Sequence, residues 1–92
     1  MKNRHAVGNR TELLKMVEDL PAETDAAKVA KRKAIAVVNK AFAKTGVSGV
    51  MDLWWAKTQL GSMAFACRAE EGKDIYLDTM GILERNVSKV QI

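Results

Sequence analysis

The stretch from Ser48 to Glu71, SGVMDLWWAKTQLGSMAFACRAEE, constrains this chain more than any other part of it. It holds both tryptophans, one of two phenylalanines and the single cysteine of 92 residues. At about 100° per residue, Leu53, Ala56, Leu60, Met63, Ala64 and Cys67 fall on one apolar stripe of a helix. Trp54, Gly61 and Phe65 fall on a second, roughly a quarter turn away. A helix that is apolar on two sides must be covered on two sides, by other helices of its own chain or by another subunit. The expectation is therefore a small helical domain that associates with copies of itself.

Size points the same way. A chain of 92 residues makes one domain whose core is modest, and association enlarges it. Apolar residues at 48% and charged residues at 28% are an ordinary globular balance. No apolar run approaches the roughly 18 residues of a membrane span, and the polar opening MKNRHAVGNR lacks the apolar core of a signal peptide. The expected location is cytoplasmic. Residues 1–8 read as a flexible basic tail and residues 9–92 as a single helical domain.

Within that domain, Asn9 followed three residues later by Glu12 marks a helix start, and Pro21 closes a short helix over about 10–20. Thr24 or Asp25 caps a second helix, rich in alanine, that runs to Lys44 and stops at Gly46. Ser48 is placed to cap the central helix and Gly72 to end it, so the second and third helices form an antiparallel hairpin. Asp74 is placed to cap the last helix, in which Tyr76, Met80, Leu83, Val87 and Val90 recur at seam spacing. That seam either packs on the chain's own hairpin or joins subunits. The fold expected is all-α: a hairpin of two longer helices with a shorter helix at each end. Trp54, Trp55, Tyr76, Met80, Leu83 and Val87 are its candidate interface residues.

Little here supports catalysis. Phosphate-cradling and dinucleotide-binding glycine motifs are absent from the sequence, as is any metal-ligand cluster. His5 stands alone in the expected tail, and Cys67 on the inner stripe reads as a small buried hydrophobe. The chain is thus read as a non-enzymatic protein with no cofactor and no metal.

Charge gives more. The net charge is +4, but Lys28, Lys31, Arg32, Lys33, Lys40 and Lys44 occur between Ala26 and Met51 without one acidic residue. Four carboxylates against Lys73 follow between Glu70 and Asp78. Such asymmetry suits an anionic partner, or two complementary faces that meet between subunits. Lys28, Arg32, Lys33, Lys40 and Lys44 are the candidates for gripping DNA or RNA through the 25–44 helix. On the central helix, Lys57 and Arg68 are eleven residues apart and project within about 20° of one another, with Thr58 and Phe65 beside them. A cation, a hydroxyl and an aromatic plane next to Gly61 can hold a phosphate and stack a base.

At Ala56–Leu60 the run AKTQL, continued by GSMAFACRA, resembles the closing helix of the small phage-encoded sponges that sequester cyclic oligonucleotide signals. These are the anti-CBASS proteins, related to one class of anti-Thoeris proteins. The resemblance covers about 15 residues, and Gly72 to Ile92 extend beyond the point at which that family's motif closes its chain. It implies a compact helical oligomer that binds a signalling nucleotide between protomers without degrading it. Only Lys57 and Thr58 match the motif residue by residue, and only they inherit a ligand-binding role. Three functions are therefore expected in turn: a phage counter-defence sponge for cyclic nucleotides, a small basic DNA- or RNA-binding protein, and a module that docks on a host or defence protein.

Overall fold

The computed structural model describes residues 4–68 and 72–89. Among them the chain forms β1 (Arg4–Val7), α1 (Arg10–Glu18), α2 (Asp25–Thr45), β2 (Val50–Asp52), α3 (Leu53–Ala66), α4 (Lys73–Asn86) and β3 (Val87–Lys89). Met1–Asn3, Glu70, Glu71 and Val90 lie outside the described residues.

The helical majority agrees with an all-α reading, but a three-stranded antiparallel sheet of order β2-β1-β3 joins it. The expected tail is corrected here: Arg4–Val7 is the middle strand. Arg4 pairs with Asp52 and Ala6 with Val50 on one side, and His5 pairs with Lys89 and Val7 with Val87 on the other. Val87, expected in a helical seam, opens β3 instead.

The first two helices start and stop for local reasons. The Asn9 side chain accepts the Glu12 N–H at 3.0 Å, and the Thr24 hydroxyl oxygen accepts the Ala27 N–H at 3.0 Å, each meeting a donor that the first turn leaves unpaired. Gly46 ends α2 in the left-handed region at φ 67°, where a Cβ is costly. Lys31 reaches back from α2 and donates to the Glu18 carbonyl at the end of α1 over 2.6 Å. A cation there meets the negative end of the helix dipole.

The third helix starts later than Ser48. Pairing with β1 draws Val50–Asp52 into a strand, and the buried Asp52 then accepts the Trp55 N–H at 3.1 Å. Asp52→Ala should therefore cost about 1–2 kcal/mol, the loss of a cap, whereas Ser48→Ala should stay within about 0.5 kcal/mol because Ser48 is an exposed turn residue. Urea unfolding of the two variants checks the assignment. Equal losses would show that the Asp52 bond to Trp55 contributes no cap.

Nor does Gly72 end α3, which stops at Ala66 when Cys67 turns extended. Gly72 precedes α4 with φ 89° and makes no side-chain cap, so Asp74 lies inside the first turn rather than capping it. At Gly72 the chain passes so near α2 that an added Cβ would stand 2.6 Å from Ala30 Cβ and 3.2 Å from Ala27 Cα.

Two contacts set the direction of the last helices. Lys57 near the start of α3 pairs with Glu84 near the end of α4 at 3.5 Å, and Cys67 just beyond α3 lies against Tyr76 early in α4. The two helices therefore run antiparallel. The 14 residues of α4 equal those of α3, so the expected short closing helix is a full partner, and α3 packs more extensively on α4 than on α2.

The core gathers Leu13 and Val17 from α1, Ala34 and Val38 from α2, Met51 from β2, Leu60 from α3 and Leu83 from α4, all nearly or fully buried. Tyr76 and Leu83 belong to this core, which corrects their assignment to a subunit interface. Met80 packs against it, partly buried. Thr79, fully buried in α4, donates its hydroxyl to the Ile75 carbonyl at 2.7 Å, so the polar atom is satisfied.

Candidate functional site

Three sides of α3 organise the candidate residues of the central helix. The inner stripe is as expected: Leu53, Ala56, Leu60 and Ala64 are buried, with Met63 and Cys67 partly so. Cys67 is half-buried. Burial pushes the Tyr76 hydroxyl above its ordinary pKa, and the neighbouring Cys67 adds to the shift.

Toward α4 lies Lys57. Its partner Glu84 and the exposure of both side chains make this a surface ion pair, of the kind worth about 0–1 kcal/mol. Thr58 donates its hydroxyl to the Trp54 carbonyl one turn back at 2.8 Å, leaving only acceptor capacity on that oxygen. Arg68 follows the end of the helix, so the three-turn alignment with Lys57 is interrupted by the extended backbone of Cys67. Phe65 is 90% exposed. The residues proposed to cradle a nucleotide are thus spread along α3 and beyond its end.

On the side toward α2, the structure assembles a group that no spacing on one helix reveals. Lys44 stands 5.1 Å and Lys40 6.0 Å from the centre of the half-buried Trp55 ring. A cation over an indole face is attracted by the ring quadrupole. Trp55, expected at an interface between subunits, is therefore the seat of two lysines of its own chain. Lys28, Arg32 and Lys33 are exposed farther back along α2, and Asp25 in the first turn is the only acid of that helix.

A second group also escapes sequence reading. Arg10 of α1 donates to the Asn39 side chain at 2.7 Å and lies 4.7 Å from the centre of Phe42. These three, with Ser48 and Gly49, line a shallow cleft of about 300 Å³. Another cleft, of about 260 Å³, lies beside β1 between Asn9, Met16 and Asn86. Neither is lined by Lys57, Thr58, Phe65 or Arg68. Arg10 and Asn39 are 29 residues apart, and nothing in the local pattern of either announces the other.

No group of three or more metal-ligating side chains occurs among the described residues. No helix there is long and apolar enough to cross a membrane. The chain matches no protein-family model, no curated protein and no solved structure.

Proposed function

We propose that this protein is a non-enzymatic binder of single-stranded nucleic acid and that α2 provides its working surface. The observation that carries the reading is the meeting of Lys40 and Lys44 with Trp55 on the flank of a helix that also carries the exposed Lys33. Lysines neutralise backbone phosphates, and when Lys40 and Lys44 turn from the ring to phosphate the exposed part of the Trp55 indole offers a stacking surface, the two components of sequence-tolerant binding to single strands. From Lys33 to Lys44 the row extends about 16 Å at 1.5 Å per residue, enough to follow several nucleotides. With no acid on α2 after Asp25, nothing on that helix opposes the approach of a polyanion.

The test uses Trp54→Phe protein, in which Trp55 is the sole indole, titrated with an oligothymidylate. Binding should quench Trp55 and weaken with salt at a log–log slope of roughly −2, the value for three phosphates on a single strand. Changing Lys33, Lys40 and Lys44 together to Gln should flatten that slope. An unchanged emission and no binding at low salt would reject the reading.

The cyclic-nucleotide sponge remains its competitor, and it places the ligand elsewhere. Under that reading Lys57→Ala or Thr58→Ala should lower affinity for a cyclic dinucleotide roughly ten- to hundredfold, the worth of a charge-assisted hydrogen bond. Under the reading proposed here both substitutions leave oligothymidylate binding unchanged.

A further inference from the structure

We propose that the outer face of α3 is covered by the same face of a second copy of this chain, related by a two-fold axis level with the Gln59–Leu60 junction. The face is what remains once α2 and α4 have taken the flanks. It consists of Trp54, Thr58, Gly61, Ser62 and Phe65, with Trp54 60% and Phe65 90% exposed. Every one of these residues is uncharged. Lys57, on the flank, is offset by Glu84 of its own chain. Such a surface suits neither a phosphate backbone nor solvent, and it is distinct from the basic row on α2.

The spacing selects a second copy among apolar occupants. A closed two-fold interface is self-complementary: residue i meets residue j of the partner, and j meets i. Counted from the Gln59–Leu60 junction, Trp54 and Phe65 are equally displaced in opposite directions, and so are Thr58 and Gly61. When two antiparallel copies of α3 meet there, each Trp54 faces a Phe65 at both ends and each Thr58 faces a Gly61 in the middle. Aromatic pairs then occupy the ends. Small residues occupy the centre, where helices must approach within about 8–10 Å. In the single chain a Cβ at Gly61 would meet nothing within 4 Å, so the centre is open to receive the partner.

The area is sufficient for a weak dimer. Aromatic side chains bury about 150–250 Å² each, so the exposed parts of Trp54 and Phe65 offer roughly 300 Å² per chain. Leu77 adds to the Phe65 end: it is 45% exposed and lies two turns before Glu84 on α4, toward the end of α3. With Thr58 and Ser62 the total for two chains reaches about 1,000 Å², the lower limit for a specific interface. The expected affinity is micromolar.

The pairing of unlike residues allows a complementation experiment. Sedimentation equilibrium of the wild type should show a monomer–dimer transition through the micromolar range. Trp54→Lys and Phe65→Glu should each abolish it while retaining wild-type helicity, since both side chains are exposed. An equimolar mixture of the two variants should recover the dimer mass. One end of the interface would then pair Lys with Glu, and the other would retain its Trp–Phe contact. A wild type that stays monomeric in the high micromolar range overturns the proposal, as does a dimer that survives both substitutions. Monomeric variants that fail to complement overturn it as well, because the register would then be wrong.

Discussion

Gly72→Ala is expected to destabilise the fold by about 2–5 kcal/mol, a large loss for the addition of one methyl group. Two costs add. The residue adopts φ 89°, and a left-handed backbone costs an L side chain about 1–2 kcal/mol. The new Cβ would also stand 2.6 Å from Ala30 Cβ and 3.3 Å from the Ala26 carbonyl oxygen. Those neighbours are the buried Ala30 side chain and the main chain of α2, which cannot turn aside as a long side chain can, and overpacking of this sort costs about 1–3 kcal/mol. Urea unfolding followed by circular dichroism measures the sum. A midpoint indistinguishable from wild type would mean that α4 separates from α2 at little cost.

Deletion of residues 1–8 is expected to cost about 4 kcal/mol or more, whereas loss of a disordered tail would cost almost nothing. β1 is the middle strand, so its removal breaks two ladders at once. It also removes the buried Val7, whose N–H donates to the Gly49 carbonyl at 2.8 Å. Each ladder bond contributes about 0.5–1.5 kcal/mol net, and the remaining edges of β2 and β3 become templates for pairing between chains. A truncated protein that melts at the wild-type temperature and stays dispersed would show that the sheet contributes nothing. Lower melting with aggregation is the expected result.

These two cases also show where the sequence is legible. Helix starts at Asn9 and Thr24 and the stop at Gly46 are readable because each signal acts within one turn of itself. The strands are not readable in that way. Each has only three or four residues, too short to display alternation, and each is defined by partners distant in the chain, as Val7 is by Val87. The missed cap follows from this: Ser48 and Asp52 are both capping residue types, and the pairing of Ala6 with Val50 decides between them. Gly72 is misread for a different reason. Its tolerance of a left-handed backbone serves equally well to end one helix or to begin the next.

The candidate surfaces divide similarly. The stripe from Trp54 to Phe65 is visible in the spacing of a single helix, and the structure leaves it uncovered within the chain. The seat of Lys40 and Lys44 on Trp55 requires two helices to be packed. So does the engagement of Lys57 by Glu84, which turns a cation read as a ligand-holder into half of an ion pair.

The sheet has a further consequence for the order in which the molecule can assemble on the ribosome. β1 is made before either of its neighbours, and one of them, β3 at Val87–Lys89, is made only after all four helices described here. Until β3 is made, β1 can pair only with β2. The helices can coil and begin to pack as they emerge, since their contacts are mostly between neighbours in the chain. Closing the β1–β3 ladder must instead overcome the entropy of a loop that includes every helix. Val87–Lys89 therefore act as a latch, and until they pair, the side of β1 that they cover stays bare.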